Sequence, residues 1–507
     1  MDEARGRTPG YAWYVLGILV LVYILNFIDR QLISILAEDI KRDLHMRDED
    51  LGFLYGTAFG VFYALFGIPL GRLADNWHRV RLLASGLALW SAMTMVSGLA
   101  RGGGMLAAAR VGVGVGEASA APSAYSLISD WFPKHLRATA LAIYSAGLYI
   151  GGGVSLGIGA LIVQRWNAAY PTDPPFGLHG WQAAFLIVGA PGLLLALWVV
   201  TLREPARPGA RAAAPFAGFI AELLTILPPL TLIGAARRGT RALLGNLAAV
   251  ALLIGFVWAV TRLGEPAAQW SAWGLGIYAV FSWASALRHR DPEAFGLIVA
   301  NPAFIAVLVA YGLNAFLGYS TSLWLAPYAE RVLSEAKTTA GLIIGSSAAL
   351  GGFLGTTIGG TVADRLRLRH PSGRVMVVIF GALAPLPFIA TAFTTRSPAI
   401  FYAMVVPMTA LGSCALGAAA ATTQDLVLPR MRGTATATFL IGTTLLGLAL
   451  GPYLAGRISS ASGSLSIGVL SLLATVPIAL AAGIAAFRLV PRYEQRAARA
   501  ATASTAS

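Results

Sequence analysis

Cysteine is nearly absent from this chain, which excludes a fold held together by disulfides. Cys414 is the only cysteine among 507 residues, and it lies in an apolar run. A disulfide framework needs an even set of cysteines. The six histidines all fall in predicted loops, and no two of them have the spacing of metal ligands. We therefore expect neither a metal site nor a cofactor.

Charged residues are also scarce, and this bounds the class of protein. Only 12% of the residues are charged and 57% are hydrophobic, whereas soluble domains have about 25% charged residues. The composition therefore predicts a polytopic membrane protein. The net charge of +14 lies in short loops between apolar runs, as the positive-inside rule predicts. Because it does not cluster on a soluble module, no nucleic-acid partner is expected.

Apolar runs of about 20 residues, each long enough to cross a bilayer, recur along the chain. Six lie before residue 203 and six lie between 302 and 489. The basic clusters occupy the even-numbered loops and the C-terminal tail, which places both termini in the cytoplasm of a bacterial inner membrane. The predicted organisation is a six-helix bundle at 1–202, a linker at 203–301, a second six-helix bundle at 302–489 and a cytoplasmic tail at 490–507.

The linker contains two further apolar runs, near 242–261 and 268–287. Arg237, Arg238 and Arg241 precede the first run, and another basic cluster follows the second. This charge pattern fits a transmembrane hairpin whose joint lies outside. The alternative is a long cytoplasmic linker with interfacial helices.

The two halves carry matching sequence markers. Gly71-x-x-x-Asp75 ends the second run, and Gly360-x-x-x-Asp364 ends the eighth run 289 positions later (360 − 71). Arg137 opens the fifth run, and Arg432 opens the eleventh run 295 positions later (432 − 137). Two markers at nearly one offset indicate that the halves are repeats of one unit.

Four charged residues lie inside apolar runs of the first half. Asp29 and Arg30 are the only formal charges of the first run, and an ionisable group at membrane depth costs about 2.5–3.5 kcal/mol on insertion scales. Asn26 shares their helical face, and Arg110 and Glu117, seven positions apart, share a face of the fourth run. We expect two acids and two bases to line one cavity. No comparable charge occurs in the seventh to twelfth runs.

Several of these segments resemble the major facilitator superfamily. Gly71-x-x-x-Asp75 followed by Arg79 resembles its loop signature, and Gly360-x-x-x-Asp364-Arg365 resembles the counterpart in the second half. Arg110-Val-Gly112-Val-Gly114 is similar to its fourth-helix motif. The resemblance covers most of the chain apart from 203–301. It implies an all-α membrane fold of two six-helix bundles with alternating access, to which the linker adds an extra hairpin.

Within that superfamily, three segments resemble the Spinster lipid-transporter branch. They are Asn26-Phe27-Ile28-Asp29-Arg30, Gly116-Glu117-Ala118, and Asp130-Trp131-Phe132-Pro133 with Arg137. This resemblance implies a secondary transporter that is proton-coupled and moves an amphipathic lysolipid or sphingoid-type substrate. We expect it to work as a monomer.

The polar residues then have expected roles. Burial disfavours a charged carboxylate, and a nearby cation favours it, so Asp29 and Glu117 are the predicted proton-coupling residues. An anionic headgroup at Arg30 would release Asp29 from its cation. The predicted substrate-binding residues are Arg30, Asn26, Tyr55, Asn314 and Thr321. Arg110 is expected to hold the site in shape.

Each role has an alternative. The four charged residues could instead form a static ion network, Tyr55 and the aromatic residues that follow it could serve packing, and Asn314 and Thr321 could bond between helices. The residues expected at a cytoplasmic gate are Gly71, Asp75, Arg79, Arg137, Gly360, Asp364 and Arg365. Topology-setting charge explains the arginines of that set equally well, but not the acids.

The sequence also limits the energy source and the chemistry. No G-x-x-x-x-G-K-[ST] motif occurs, so an ion gradient is expected to drive transport. Neither a nucleophile nor a metal constellation supports a membrane-embedded lipid-modifying enzyme. The alternatives are a proton antiporter for small organic anions or hydrophobic drugs, and a non-transporting membrane sensor.

Overall fold

The computed structural model describes residues 10–133, 135–205 and 215–505, and every regular element in these ranges is a helix. The first nine residues of the predicted first bundle, residues 206–214 of the linker and the last two residues of the tail lie outside this description. The predicted all-α membrane fold is confirmed. Among the described residues, twelve helices are long and apolar enough to cross a membrane.

The first half, residues 10–202, contains eight helices, which make up the six predicted spans. They are α1 (Gly10–Asp43), α2 (Asp48–Gly52), α3 (Ala58–Asn76), α4 (Arg79–Gly98), α5 (Gly103–Glu117), α6 (Ala120–Trp131), α7 (Arg137–Ala169) and α8 (Gly180–Val200). Helices α2 and α3 form one continuous span through a π-helical segment, Phe53–Thr57. The predicted fourth span is divided into α5 and α6, neither of which is long enough alone to pass for a spanning helix.

The second half, residues 302–505, makes up the other six predicted spans. Its helices are α14 (Pro302–Arg331), α15 (Lys337–Arg369), α16 (Gly373–Leu383), α17 (Leu386–Ala392), α18 (Pro398–Ser413), α19 (Ala415–Asp425), α20 (Arg432–Thr443), α21 (Gly451–Ser462), α22 (Leu465–Ser471) and α23 (Val476–Thr505). A second π-helical segment, Thr444–Leu448, joins α20 to α21. Helix α23 runs to Thr505 without a break at the predicted start of the tail.

The insert between the halves contributes five helices. They are α9 (Pro215–Ile226), α10 (Leu230–Arg237), α11 (Thr240–Arg262), α12 (Ala267–Arg290) and α13 (Pro292–Ile298). The axes of α9 and α10 meet at 98°. Helices α11 and α12 run antiparallel through the turn at Gly264, whose φ of +85° is in the region that glycine adopts most readily.

Helix α12 lies against the seam between the two halves. Trp273 Nε1 donates to the Leu445 carbonyl at 3.1 Å, inside the π-helical segment of the second half, where the widened turn changes the ordinary carbonyl pairing. Gln269 accepts a hydrogen bond from the Thr57 hydroxyl of the first half at 2.7 Å. The same Thr57 hydroxyl lies 2.6 Å from the Ala449 carbonyl of the second half. One helix of the insert therefore contacts both halves.

We name the two ends of the bundle by their contents. The terminal end contains Gly10 and the end of α23, and the far end contains Asp43 and Asp48. Ion pairs join the halves at the far end: Arg331 donates to both carboxylate oxygens of Asp48, at 2.7 and 2.9 Å, and also to Glu38. Lys337 pairs with Asp39. The far end is therefore closed.

Glycines allow the halves to touch at a second seam, between α7 and α15. A Cβ at Gly345 would lie 2.1 Å from the Gly153 carbonyl oxygen, and a Cβ at Gly153 would lie 2.6 Å from that of Gly345. Real Cβ atoms do not approach a carbonyl so closely. Glycine at these positions therefore sets the distance between the two helices.

A Gly345→Val substitution is expected to destabilise the protein, because the added carbons force α7 and α15 apart. Overpacking of this kind costs about 1–3 kcal/mol. The apparent unfolding midpoint of the purified protein would measure the effect. Gly17→Val is the matched control, because nothing lies within 4 Å of a Cβ at Gly17. Equal shifts in the two variants would contradict the assigned role of this contact.

Candidate substrate and coupling site

Arg30 and Glu117 form a buried ion pair at the centre of the first half. Arg30 Nη2 donates to Glu117 Oε2 at 2.7 Å, and the Glu117 side chain is fully buried. Helix α1 carries Arg30, and Glu117 is the last residue of α5. Gly114 lets α5 approach α3 closely, because a Cβ there would lie 2.5 Å from the Phe59 carbonyl oxygen. Gly114 therefore packs α5 against α3, and Glu117 at the end of α5 reaches the Arg30 guanidinium of α1.

Asp29 and Arg110 lie buried in the same region, with relative exposures of 2% and 0%. Both act electrostatically on each other and on Glu117. Among the described residues, none forms a hydrogen bond with any of the three guanidinium nitrogens of Arg110, with Asp29 Oδ1 or with Glu117 Oε1. A static structural network is expected to satisfy its own donors and acceptors. This arrangement favours a site whose partners change over a network that only holds helices together.

Aromatic rings surround the Arg30 guanidinium. Its central carbon lies 4.9 Å from the ring centre of Phe27, 4.6 Å from that of Phe59 and 5.0 Å from that of Tyr63. The central carbon of the Arg110 guanidinium lies 5.2 Å from the centre of the same Phe59 ring. Cation–π contacts in a desolvated setting contribute about 2 kcal/mol or more. The rings therefore hold Arg30 in position while leaving its hydrogen-bond partner exchangeable.

A cavity of about 300 Å³ lies between the halves. Most of its lining is apolar and comes from the second half. Phe27 and Gln31 of α1 also line it, so it begins beside Arg30. Its size falls at the lower limit of ordinary small-molecule sites.

The predicted substrate residues are divided between this cavity and the charged cluster. Asn314 and Thr321 line the cavity, where Asn314 donates to the Gly412 carbonyl at 3.1 Å and Thr321 bonds within its own helix. Tyr55 is behind the lining and donates to Gln31 Oε1 at 2.9 Å. Arg30 and Asn26 are buried in the cluster and are not lining residues.

Gln31 and Ser322 form a contact across the halves that sequence reasoning missed. Gln31 Nε2 donates to the Ser322 hydroxyl at 2.9 Å, and both residues line the cavity. Together with Tyr55 they make a polar chain from the π-helical segment Phe53–Thr57 through α1 to α14. The sequence holds a usable signal, because Gln31 follows Arg30 directly within an otherwise apolar run.

The predicted gate residues lie at the terminal end, and none of their described ion pairs joins one half to the other. Arg79 is fully buried, pairs with Asp130, and donates to Glu204 at 2.7 Å. Arg137 donates to the Phe132 carbonyl at 3.1 Å, and Asp364 accepts from Arg374 at 2.8 Å. Asp75 and Arg365 are exposed. A Cβ at Gly71 would lie 4.0 Å from Pro122, and a Cβ at Gly360 would have no described atom within 4 Å.

These contacts repeat between the halves, which extends the duplication seen in the sequence. Arg374 pairs with Asp425 as Arg79 pairs with Asp130. Both members of the second pair lie 295 positions after those of the first (374 − 79 and 425 − 130). Arg374 and Asp425 were missed as functional candidates, although the offset between Arg137 and Arg432 points to both.

The ion pairs at the far end were missed too. Asp48 accepts hydrogen bonds from Arg331, from Lys41 at 2.7 Å and from the Ser459 hydroxyl at 2.6 Å. Arg331 and Lys337 flank a loop that the charge pattern places outside, where basic residues are unusual. That exception is the signal that could have identified them as partners of the acidic first loop.

Two repeated halves that close on one another at one end, with a cavity between them and buried charges inside the first half, define a secondary membrane transporter. The chain belongs to the Major Facilitator Superfamily, whose description matches residues 19–452. It is a transporter and not an enzyme. The matched range includes the insert as well as the buried charges of the first half.

Two relatives and one solved structure are similar to this chain over most of its length. An MFS-type efflux pump of Mycolicibacterium smegmatis is 28% identical over 97% of this chain and 96% of its own length. Human protein spinster homolog 1 is 26% identical over 90% of this chain and 75% of its own length. A crystal structure of a bacterial homolog of the human lysosomal transporter Spinster, inward-facing and unoccupied, superposes with a TM-score of 0.71, covering 97% of this chain and 99% of that one, at 26% identity. The predicted resemblance to Spinster is confirmed.

Proposed function

We propose that this protein is a proton-coupled transporter of an amphipathic anion of the lysolipid or sphingoid type. The observation that carries the proposal is the position of Arg30. It is paired with the buried carboxylate of Glu117, surrounded by aromatic rings and flanked on its own helix by two residues that line the apolar cavity. An acyl chain fits the cavity, and an anionic headgroup fits Arg30.

Coupling follows from competition for Arg30. When an anionic headgroup binds the guanidinium, the carboxylate that loses its cation favours the protonated form. The sequence led us to expect Asp29 as that carboxylate, but Arg30 is hydrogen-bonded to Glu117. Neighbouring side chains on a helix do not face each other, so Arg30 turns away from Asp29. In our proposal Glu117 exchanges with the headgroup, and Asp29 is the second proton carrier, influenced by Arg110.

We further propose that the terminal end faces the cytoplasm of a bacterial inner membrane, since most of the basic clusters lie there. The closed far end then makes this conformation inward-facing. In this orientation the gate residues Asp75, Arg79, Asp364 and Arg365 act when the terminal end closes, and α11 and α12 form the transmembrane hairpin. The transporter functions as a monomer.

A specific observation favours a second candidate. The relative from Mycolicibacterium smegmatis is named an efflux pump, and a mostly apolar cavity also suits an uncharged or cationic hydrophobic drug. That candidate is a proton antiporter in which Arg30 serves only Glu117. The two functions differ in whether the substrate touches Arg30.

Arg30→Gln is expected to raise the KM for an anionic fluorescent lysophospholipid about tenfold or more, the value of one lost charged hydrogen bond. The measurement is uptake into proteoliposomes with an imposed pH gradient. Transport of a cationic dye by the same variant reports on the rest of the mechanism. Arg101→Gln is the control, because Arg101 lies exposed in the loop after α4.

Three outcomes are informative. A selective loss for the lysophospholipid supports the proposed substrate. Dye transport by the unmodified protein, with no lysophospholipid transport at all, supports the drug antiporter. If no gradient moves either probe, neither proposed substrate class is transported and the proposal fails.

A further inference from the structure

The hairpin of the insert encloses a second cavity that has no part in the transport site. It has a volume of about 540 Å³ and lies between α11 and α12. Almost all of its lining is apolar, including Leu252, Phe256 and Phe281. Gly274 lets the two helices cross closely, since a Cβ there would lie 2.1 Å from Leu253. We call this cavity the hairpin groove.

Aromatic rings close the end of the hairpin groove that lies nearer the turn at Gly264. The side of α11 that faces away from the bundle is exposed to the bilayer. Phe256 contacts Trp270 and Trp273, with ring centres 5.8 and 6.4 Å apart. Leu252 and Ile254 of α11 are 76% and 65% exposed. A side-chain surface this apolar and this exposed requires hydrocarbon around it.

The groove is polar at its other end, near the start of α11. Tyr278, which lines the groove, shares a hydrogen bond with the Thr231 hydroxyl at 2.9 Å and donates to Asn246 Oδ1 at 3.3 Å. These are buried residues on three different helices, α10, α11 and α12. They fix the groove at its terminal end and leave the apolar part free.

Three arginines lie at the junction between α10 and α11. Arg237, Arg238 and Arg241 form no ion pair with any residue that the structure describes, in contrast to Arg290, which pairs with Glu222 at 2.6 Å. Arg238 Nε and Nη2 are buried, and no residue in the described ranges accepts a hydrogen bond from either atom. Arg238 also lies within electrostatic reach of Tyr278. Buried guanidinium donors beside a groove require an anion.

We propose that the hairpin groove is a binding site for an anionic phospholipid of the surrounding membrane. An acyl chain occupies the apolar part along Leu252 and Phe256, and the headgroup phosphate binds Arg238, with Arg237 and Arg241 adding charge. Basic pockets between membrane helices on the cytoplasmic side favour anionic headgroups for the same reason. The site is separate from Arg30, so it does not depend on what the protein transports.

Native mass spectrometry of the full-length protein, reconstituted with equal phosphatidylglycerol and phosphatidylcholine, tests this site. The unmodified protein is expected to retain phosphatidylglycerol preferentially. An Arg238→Gln, Arg241→Gln double variant is expected to retain about tenfold less or lower still, since each basic residue near an anionic lipid contributes a several-fold effect. Arg262→Gln is the matched control at the opposite end of α11, where the guanidinium lies over Trp258, and it should retain the lipid.

A second variant tests the apolar part independently of charge. Gly245 lines the groove, and nothing lies within 4 Å of a Cβ built there, so Gly245→Leu fills the groove without displacing the backbone. It is expected to lose phosphatidylglycerol while keeping all three arginines. Equal retention of both lipids, unchanged retention in the double variant, or displacement of the lipid by millimolar inorganic phosphate would each overturn the proposal.

Discussion

Glu117→Gln is expected to abolish proton-driven accumulation of substrate in proteoliposomes while preserving substrate exchange without a gradient. The amide keeps the shape of the side chain and can accept from Arg30, but it cannot release a proton. Because the coupling step requires Glu117 to alternate between charged and neutral forms, the variant is locked in the neutral one. Exchange needs only that the substrate-loaded form reorients between the two sides, so it continues.

Counterflow and pH-driven uptake, measured on the same preparation, separate coupling from folding. A variant that fails both assays has lost its structure, since breaking a buried ion pair costs about 3–5 kcal/mol. Asp29→Asn is expected to show the same separation between the assays. Asp173→Asn, in an exposed loop, should behave as the unmodified protein. Full pH-driven uptake by folded Glu117→Gln would refute the proposed coupling.

Arg331→Gln is expected to shift the protein towards a state that is open at the far end. Arg331 joins the halves through Asp48 and Glu38, and no other described residue bonds to both. Each hydrogen bond to a charged partner contributes about 1.5–3 kcal/mol, which corresponds to about a ten- to hundredfold change in the ratio of the two states. The closed far end becomes correspondingly less populated.

Thiol labelling from the far side measures this change. Ser322→Cys places a reporter on the cavity wall, in a Cys414→Ala background that removes the only natural cysteine. A membrane-impermeant reagent should modify it faster when Arg331→Gln is present. Arg396→Gln, exposed on a loop at the same end, is the control. Identical labelling rates in all three proteins would show that these ion pairs do not control opening.

Hydropathy and motif spacing predicted the fold well because both are local properties. Apolar length decides which segments span, and Gly71 with Gly360 marks the repeat. The division of the fourth span between Glu117 and Ala120 was not predictable from apolar length, because the short break at Ala118 and Ser119 falls within an apolar run. Hydropathy also did not show that α23 continues as a helix through most of the predicted tail, as far as Thr505.

The site was predicted residue by residue, but its pairing was not. Periodicity places Asp29 and Arg30 on one helix and Glu117 on another, yet it carries no information about which carboxylate Arg30 meets. That choice depends on where the end of α5 lies relative to α1, which the packing of the whole first half determines. The Arg331–Asp48 contact joins residues 283 positions apart, so only the assembled fold brings them together.

The position of α12 makes the two lipid-facing seams between the halves unequal. Of the two seams between the halves, the one at Thr57 and Ala449 is covered by Gln269 and Trp273, whereas no described helix of the insert covers the one between α7 and α15. A lipid-like molecule that moves sideways from the bilayer into the cavity therefore has a single uncovered portal. Photoreactive lipid probes trapped during entry should mark α7 and α15 and leave α3 and α20 unmarked.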